Sequence, residues 1–443
     1  MKLNDDLLEI FSRFESVGSR AYLVGGCVRD AVMGRLPHDY DLTTPLLPQE
    51  IEALFSDKKL FTVGKKFGTI GVVLSQGTYE ITTFRVDGSY EDHRRPTEVA
   101  FTPNLREDLA RRDFTINAMA YHPEEGLVDP FGGRRDIERA VITTVGDPHR
   151  RFSEDALRIL RALRFMGQLN FELEEQTRRA MEEDRAVLRG LSRERVRDEL
   201  DRILLQERPS RVLTEMAELH ILEEVLPSLV ATVDFDQMTP YHDKTLFWHI
   251  ACVVDHVPAK LPLRYAALFH DVAKPQTLSV DPETGRGHFF GHDTEGAAVA
   301  GEALKLLRHA KDFTREVQLY IEEHMKVAPV MTDKALRRQI RRVGEEHILD
   351  LYALLKADMA CTREDRDISL LEERERRIVA LMREDAHRPK KLAISGRDLL
   401  DMGYRQGPEM GRVLAKLQDI ATGEPEKNTR EHLTALALQW KGL

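Results

Sequence analysis

The spacing of hydrophobic and polar residues changes near residue 145 of the 443-residue chain. Before that point, short apolar runs such as "GTIGVVL" and "YEITTFRV" are separated by Gly, Pro and helical stretches, a pattern that indicates strands mixed with helices. From about Asp147 onward, apolar residues recur at helical spacing between charged positions, as in "ALRILRALRFM". The pattern therefore predicts an α/β head followed by a helical remainder.

The length allows about two to four domains. Proline interrupts the helical pattern near Arg208-Pro209 and near Thr239-Pro240, which makes both places candidate breaks. The segments that we predict are a head at 1–145, a helical neck at 146–239, a second helical domain at 240–365 and a helical tail at 366–443.

Composition narrows the class of protein. The net charge of −10 argues against a protein that coats nucleic acid through its average charge, because such affinity comes from local Lys and Arg surfaces. No apolar run reaches membrane-spanning length, and "MKLNDDLLEIFSRF" predicts an acidic amphipathic helix rather than a signal peptide. We therefore expect a cytoplasmic protein with no membrane partner.

The three cysteines are Cys27, Cys252 and Cys361. Their odd number and wide spacing argue against both a disulfide framework and a zinc ribbon. This cysteine usage fits a reducing cytosol.

The segment "KALRRQIRR" contains five basic residues and no acid. On a helix, Leu336 and Ile340 would form an apolar side and the basic residues would cover much of the rest. The candidates for binding RNA phosphates are Lys334, Arg337, Arg338, Arg341 and Arg342. The alternative is a solvated helical face, which is the more common role of a single charge run.

The stretch "YLVGGCVRDAVMG" predicts a strand, a tight turn at Gly25-Gly26 and a helix that ends at Gly34. Glycines let backbone N–H groups approach a phosphate closely, and the start of the helix adds partial positive charge. Arg29 would strengthen such a site. The stretch therefore predicts an anion-binding turn, with an ordinary turn as the alternative.

The next segment, "DYDL", predicts a strand that carries Asp39 and Asp41 on one face. Glu80 lies on another predicted strand and would add a third carboxylate if the two strands are neighbours. Like charges held this close call for a cation, and hard oxygen ligands favour Mg²⁺, which bridges to substrate phosphates. An acidic strand beside a glycine turn thus predicts metal-assisted chemistry on a nucleoside triphosphate.

Arginines recur after these strands. Arg111 and Arg112 precede an apolar run, and an arginine pair at such a point suits bidentate bonding to triphosphate oxygens.

In "SEDALRILRALRF", Glu154 or Asp155 stands at a helix start, and three arginines follow at intervals of three. These arginines are Arg158, Arg161 and Arg164. Asp accepts from an exocyclic amino group and Arg donates to ring acceptors, so this face can read the edge of a base. The alternative is a helix with ordinary salt bridges.

A second group of side chains has the mixed imidazole and carboxylate chemistry that suits transition metals. Its members are His249, the adjacent pair His270-Asp271, His292, His324 and Asp358. A single helical histidine is more often a core or surface residue, but this ordered set is much less frequent by chance. His242 and His256 lie close to His249 in the sequence and are alternatives to it as the first member of this set.

Several ordered motifs within about the first 200 residues carry a resemblance. "GGCVRD…DYDL", "FGTIGVV", "YEITTFR", "RRDFTINAMA", "DPFGG" and "SEDALRILRALRF" together resemble the class II tRNA nucleotidyltransferase and bacterial poly(A) polymerase family, within the DNA polymerase β-type superfamily. The resemblance implies Mg²⁺ on Asp39 and Asp41 and triphosphate contacts from Gly26, Arg29 and Arg112. It also implies template-free base selection by Asp155 and Arg158, with further nucleotide contacts from Arg161 and Arg164.

The branches of this family differ at two places. "GKKF" is followed here by Gly-Thr-Ile-Gly, whereas enzymes resembling bacterial poly(A) polymerases continue with a leucine and a histidine, so the tRNA enzymes are favoured. Family members that add only two cytidines have a shortened loop after the "TTFR" strand. The loop from Val86 to Pro96 looks full length, so A addition is expected, and shortening this loop should yield products that end in CC.

Residues 240 to 360 resemble the HD phosphohydrolase superfamily. The resemblance implies His249, His270, Asp271 and Asp358 as metal ligands, with His292 and His324 nearby as a second-metal or phosphate-binding set. Imidazole ligands favour Mn²⁺, Co²⁺ or Ni²⁺, and such sites activate a water against phosphoesters.

The resulting hypothesis is an enzyme that adds CCA to tRNA from CTP and ATP with Mg²⁺, and that carries a second, HD-type site. The alternatives are an enzyme that adds only A to tRNA, a poly(A) polymerase, a phosphohydrolase whose head merely binds RNA, and a non-catalytic RNA-binding module.

Overall fold

A computed structural model describes residues 3–37, 39–87, 99–238, 244–328, 330–362, 367–385 and 391–441. The chain divides into two compact units, Met1–Val230 and Ala231–Leu443. Within the described ranges, no helix combines the length and the apolar character needed to cross a membrane. The predicted loop beyond Asp87 and the competing ligand His242 lie outside the described residues.

The first unit contains strands of a mixed sheet and of smaller strand pairs. Its strands are β1 (Tyr22–Val24), β2 (Asp41–Thr44), β3 (Lys59–Phe61), β4 (Thr69–Val73), β5 (Thr78–Thr83), β6 (Arg85–Asp87), β7 (Val99–Phe101), β8 (Ala120–His122), β9 (Gly126–Val128), β10 (Val141–Ile142) and β11 (Glu172–Leu173). Seven of them form a sheet in the order β3-β4-β5-β2-β1-β8-β9. Strands β2 and β5 pair in parallel, and the other neighbours in this sheet pair antiparallel.

Helices alternate with these strands along the chain, and further helices form the rest of the first unit. They are α1 (Asp5–Ser16), α2 (Gly26–Val32), α3 (Pro48–Leu54), α4 (Leu105–Ala110), α5 (Gly133–Glu138), α6 (Pro148–Glu154), α7 (Leu157–Leu169), α8 (Glu175–Asp184), α9 (Arg193–Leu204), α10 (Pro209–Glu218) and α11 (Leu222–Val225). Short 3-10 turns occur at Lys65–Phe67, Thr115–Asn117, Arg185–Gly190 and Pro227–Thr232.

Helix α1 shows how the sequence builds this core. The Asn4 side chain accepts a hydrogen bond from the Leu7 N–H at 2.9 Å, and such a cap stabilises a helix by about 1 kcal/mol. Leu7, Ile10 and Phe14 recur at helical spacing and are fully buried in a cluster with strand residues such as Ile81. Each buried apolar side chain of this size contributes roughly 2 to 3 kcal/mol, so packing rather than propensity holds the helix on the sheet.

The second unit is mainly helical. Its helices are α12 (Leu246–His256), α13 (Leu261–Phe269), α14 (Lys274–Thr277), α15 (His292–Leu306), α16 (Lys311–Glu323), α17 (Asp333–Val343), α18 (Ile348–Ala360), α19 (Ser369–Asp385), α20 (Gly396–Asp401), α21 (Pro408–Gly423) and α22 (Arg430–Lys441), with a 3-10 turn at Pro425–Lys427. Helices α12, α13, α15, α16 and α18 pack around Tyr265, Phe269 and Tyr320, which are fully buried.

The predicted α/β head followed by helices is confirmed, with two small departures. Glu172–Leu173 pairs with the last strand of the head, and Ser279–Val280 (β12) pairs with Gly287–His288 (β13). In the β12–β13 turn, the Asp281 carboxylate accepts hydrogen bonds from two following N–H groups, and Gly285 has a φ of +67°. Two-residue strands show no alternation, so the pattern of polar and apolar residues did not reveal them.

The expectation that the cysteines form no disulfide is wrong. Cys252 on α12 is bonded to Cys361, which follows α18, across 109 residues of sequence, while Cys27 is a buried free thiol. The odd number of cysteines arises from one bonded pair and one buried free cysteine. The wide spacing of Cys252 and Cys361 in the sequence gave no sign that α12 and α18 pack together.

Candidate active site and metal cluster

Two strands bring the predicted carboxylates of the head together. Asp41 on β2 lies directly opposite Glu80 on β5, and opposed residues of paired strands project from the same face. The prediction that these strands are neighbours is therefore confirmed. Asp39 lies in the bend before β2, because the strand begins only at Asp41 and not at Asp39 as predicted.

The electrostatics of this trio indicate a place for a cation. Partial removal from water raises the pKa of Asp41; Arg112 opposes the shift, and repulsion from Glu80 and Asp39 adds to it. All three residues are exposed, and they offer only hard oxygen atoms. This donor set fits Mg²⁺, which prefers carboxylate oxygens and keeps water and phosphate in its remaining positions.

The glycine turn lies beside two guanidinium groups. Gly25 has a φ of +76°, and α2 begins at Gly26, within the predicted turn and one residue before the helix predicted for "CVRDAVMG". A Cβ atom added to Gly25 would lie 3.1 Å from Arg112 Nη1, and one added to Gly26 would lie 3.6 Å from Arg29 Nη2. The absence of a side chain at Gly25 therefore gives an incoming anion access to Arg112, whereas Arg29 is buried and donates to Asp30 and Asn117.

Asp108 holds the arginine pair in place, a role that the sequence did not reveal. Its carboxylate is fully buried and lies 3.0 Å from Arg111 and 3.7 Å from Arg112. Burial lowers the pKa of Arg112, and its Nε atom has no hydrogen-bond partner among the described residues. The long contact to Asp108 leaves Arg112 able to bind a phosphate group.

The helical face predicted to read the base divides into separate ion pairs. Glu154, rather than Asp155, pairs with Arg158 at 2.8 Å, and Arg158 also donates to two backbone carbonyls. Asp155 lies between α6 and α7 and pairs with Arg195 at 2.8 Å.

The two following arginines have their own acidic partners. Arg161 pairs with the buried Asp113 at 2.6 Å, and Arg164 pairs with the buried Glu199 at 2.8 Å. The guanidinium of Arg164 also lies 4.5 Å from the centre of the Phe165 ring. These contacts hold the arginines in defined positions along α7, and their predicted contacts with a nucleotide stay predictions.

The histidines and aspartates of the second unit converge on one buried cluster. Within the described ranges, two groups have ligand atoms close enough to hold an ion here. One group is His249, His270 and Asp358, and the other is Asp271, His292 and His324. The Asp271 carboxylate joins them, because one oxygen lies 3.4 Å from His249 Nε2 and the other 3.4 Å from His292 Nε2.

Each imidazole presents the same nitrogen to the centre of this cluster, which we call the HD cluster. The Nδ1 atoms lie within hydrogen-bond distance of backbone carbonyls, at 3.3 Å for His249, 2.8 Å for His270, 2.6 Å for His292 and 2.5 Å for His324. An Nδ1–H donated to a carbonyl fixes the tautomer and points the Nε2 lone pair at a metal. The donor set therefore fits a transition metal.

The charges within the HD cluster are strongly coupled. Burial would raise the pKa of Asp271, but His270 and Lys274 hold it well below its usual range. Burial opposes protonation of His249, yet Asp271 and Asp358 raise its pKa to about 9. Burial and the neighbouring His270 lower the pKa of His324 to about 4.

Lys274 is a further residue of this cluster that the sequence analysis missed. Its Nζ atom lies 2.6 Å from Asp271 and 2.9 Å from Gln237 Oε1. The sequence feature that could have identified Lys274 is its position three residues after Asp271, within one helical turn. A buried ammonium group at the edge of a metal cluster can attract a phosphate.

Metal binding to the HD cluster is expected to release at least one proton at neutral pH. Because Asp271 and Asp358 raise the pKa of metal-free His249 to about 9, a metal that binds at neutral pH must displace a proton from it. Apparent affinity for Mn²⁺ should therefore rise about tenfold per pH unit up to about pH 9 and then level off. Calorimetry at pH 7 in buffers of different ionisation enthalpy measures the released proton, and a pH-independent affinity would contradict this assignment.

The basic helix α17 has an acidic or hydroxyl partner for each predicted RNA-binding residue. Lys334 pairs with Glu424, Arg337 with Asp385, Arg338 with Asp419 and Arg342 with Glu323, while Arg341 donates to Thr422. Leu336 and Ile340 are buried, as predicted for its apolar side. RNA binding by this helix stays a prediction, in which phosphates must compete with these carboxylates.

Three family profiles match the chain. The profile described as "Poly A polymerase head domain" matches residues 21–143, "Probable RNA and SrmB- binding site of polymerase A" matches residues 170–232, and "HD domain" matches residues 250–376. Both resemblances drawn from the motifs are thereby confirmed. His249 lies one position before the third match.

Known proteins align with different extents of the chain. The CCA-adding enzyme of Lactobacillus helveticus is 30% identical over 427 residues, which are 95% of this chain and 94% of that protein. The CCA-adding enzyme of Bacillus licheniformis is 49% identical over 222 residues, so the chain spans about half of that relative, with 50% of this chain and 55% of that protein aligned.

Solved structures share the fold over nearly the whole chain. The crystal structure of Bacillus stearothermophilus CCA-adding enzyme in complex with CTP has a TM-score of 0.74 at 27% identity and covers 98% of this chain and 97% of that one. The Thermotoga maritima CCA-adding enzyme complexed with tRNA has a TM-score of 0.58 at 20% identity, with 99% of this chain and 96% of that one covered; this likeness concerns the fold alone.

Proposed function

Because this chain belongs to the family of CCA-adding enzymes, we propose that it adds cytidine and adenosine to the 3′ ends of tRNA from CTP and ATP without a nucleic-acid template. The observation that carries the proposal is the opposed pair of Asp41 and Glu80 beside the turn where a Cβ atom at Gly25 would lie 3.1 Å from Arg112. Such an arrangement supports a site in which a cation and a triphosphate would lie side by side. The relative solved with CTP supports this substrate class.

In the proposed reaction, the 3′-hydroxyl of tRNA attacks the α-phosphate and pyrophosphate leaves. Asp39, Asp41 and Glu80 would hold Mg²⁺, which when bound supplies charge neutralisation at the triphosphate. Arg29 and Arg112 bind phosphate oxygens and favour departure of the pyrophosphate. These residues act mainly by positioning and electrostatic stabilisation.

Extension of tRNA transcripts tests the proposal. Transcripts ending at the discriminator base, at C and at CC are each incubated with one nucleoside triphosphate at a time. We expect CTP to extend the first two and ATP to extend the third. Extension by ATP alone, only on transcripts ending in CC, would favour an A-adding enzyme, and repeated A addition to any RNA would favour a poly(A) polymerase.

Base choice should depend on Asp155 and Arg158. Removing one partner of a hydrogen-bonded base edge costs about 1–3 kcal/mol of discrimination, so Asp155→Ala should lose at least fivefold selectivity for CTP and ATP over UTP and GTP. Competition assays with mixed triphosphates measure this ratio. Asp198→Ala, whose carboxylate pairs with the neighbouring Arg197, is the control and should retain the parent selectivity.

A specific observation favours a second function for the second unit. The HD cluster presents four oriented imidazoles and two carboxylates at one buried point. His249, His270, Asp271 and Asp358 would hold Mn²⁺, Co²⁺ or Ni²⁺, with His292 and His324 for a second ion or a phosphate. Such a metal, when bound, activates a water for attack on a phosphoester, and a 2′,3′-cyclic phosphate at a damaged RNA end is the proposed substrate.

The remaining assignments are proposals as well. We place the protein in the cytoplasm, where tRNA is processed, and we keep the four segments 1–145, 146–239, 240–365 and 366–443 as a division of labour. In it, the head transfers the nucleotide, the neck binds the base and RNA, the third segment hydrolyses phosphoesters, and helix α17 binds the tRNA body.

A further inference from the structure

We propose that a cavity beside Glu80 receives the 3′-terminal nucleoside of the RNA acceptor, with its base stacked on the ring of Phe61. This inference rests on the proposed nucleotidyl transfer and assigns the second substrate of that reaction to a part of the sheet that the sequence analysis did not single out.

A single row of residues crosses the sheet at the catalytic carboxylates. Phe61 opposes Gly71, Gly71 opposes Glu80, and Glu80 opposes Asp41. Opposed residues share a face, so the Phe61 ring projects on the same side as both carboxylates. Gly71 has no side chain, and a Cβ atom there would lie 3.2 Å from Phe61 Cβ. The row therefore has a gap between an aromatic ring and a carboxylate.

A cavity of about 550 Å³ occupies this gap. Its lining includes Phe61, Val63, Phe67, Gly71, Glu80 and Arg85. Phe61 is 47% exposed and Val63 is 96% exposed, an unusual state for large apolar side chains at a charged site. Ligand pockets typically measure about 300–1,000 Å³, so the cavity has room for one nucleoside.

The direction of attack places the acceptor on this side of the carboxylates. Phosphoryl transfer keeps the attacking and leaving oxygens roughly in line on opposite sides of the phosphorus. The glycine turn that follows β1, with Arg112 beside it, would hold the leaving pyrophosphate, and β1 lies on one side of β2 and β5 in the strand order. The cavity lies toward β4 and β3, on the other side.

Stacking suits the acceptor better than hydrogen-bond readout of its base. The last base of the acceptor changes during CCA addition, from the discriminator base to C and then to C again. Stacking on an aromatic ring tolerates any base, because every base has a π face. Lys59 Nζ lies 5.2 Å from the centre of the Phe61 ring and adds positive charge near the phosphate of a stacked nucleotide.

Acceptors with and without a terminal base test this proposal. Phe61→Ala should raise the KM for a tRNA minihelix about tenfold, the effect of losing one base–aromatic stack, without changing the KM for CTP. With a minihelix whose terminal nucleotide is abasic, the parent should lose a similar factor and Phe61→Ala should lose nothing more. Phe61→Trp should retain the parent values.

Two further variants separate stacking from a loss of folding. Val63→Ala, at a position too exposed to support the core, should raise the KM for the intact acceptor by less than Phe61→Ala does, and Val17→Ala, at an exposed position directly after α1, should leave it unchanged. Equal losses on intact and abasic acceptors, or no change in acceptor KM, would overturn the proposal. A parent enzyme that extends no acceptor would instead refute the proposed function itself.

Discussion

Replacing Asp41 or Asp39 with alanine is expected to lower nucleotide incorporation by about three orders of magnitude or more while leaving tRNA affinity within about twofold. In the proposed reaction these carboxylates hold the cation that neutralises the triphosphate, and such stabilisation contributes several kcal/mol to a transition state. The proposal assigns them no contact with RNA, so tRNA affinity should persist. Single-turnover incorporation of labelled CTP and a gel-shift titration with tRNA separate the two effects.

A matched surface carboxylate provides the control for this experiment. Glu138 lies on α5 in the same unit and pairs with Arg134 in an exposed i,i+4 contact, so Glu138→Ala should keep the parent rate. Substantial nucleotide incorporation by Asp41→Ala in Mg²⁺ would contradict the proposal that Asp41 on β2 is a Mg²⁺ ligand.

Replacing both His270 and Asp271 with alanine is expected to abolish metal binding by the HD cluster and hydrolysis of a 2′,3′-cyclic phosphate. Asp271 is the carboxylate that contacts both ligand groups, so its loss removes a ligand from each. Nucleotide addition should remain within about twofold of the parent, because the head contributes its own carboxylates. Metal analysis and hydrolysis assays in Mn²⁺, Co²⁺ and Ni²⁺ measure these effects.

A milder variant distinguishes the loss of a metal ligand from a loss of folding. Asp358→Asn preserves the shape of a half-buried side chain and should still lower hydrolysis at least tenfold, whereas His288→Ala changes an exposed histidine of β13 and should have no effect. If the parent binds none of the three ions and hydrolyses no phosphoester, the histidines of this cluster are structural.

The sequence predicted those parts of the candidate sites that are local in the chain. A strand, a glycine turn and a helix are encoded within a dozen residues, and the turn at Gly25 has the predicted form. The proximity of Asp41 and Glu80 was also predicted, because the local sequence around each carboxylate indicates a strand. Asp108 was not, since its role depends on contacts with Thr43, Arg85 and Arg111 that only folding brings together.

Partners that are distant in sequence account for the other differences. The spacing in "SEDALRILRALRF" predicted Glu154 or Asp155 and the following arginines on one helical face, but Asp155 lies in the break before α7 and pairs with Arg195 on α9. Among the histidines, only tertiary structure distinguishes His249, 3.1 Å from Asp358, from His256, which instead lies beside Cys252 and Cys361.

The bond between Cys252 and Cys361 turns the middle of the second unit into a closed covalent ring. Cys252 follows His249 by three residues and Cys361 follows Asp358 by three residues, so the ring contains every member of the HD cluster except His249. A protease that cuts once in the exposed turn between β12 and β13 would open the ring without separating its ends. Both halves of the cut chain would therefore stay joined until a thiol reductant released them.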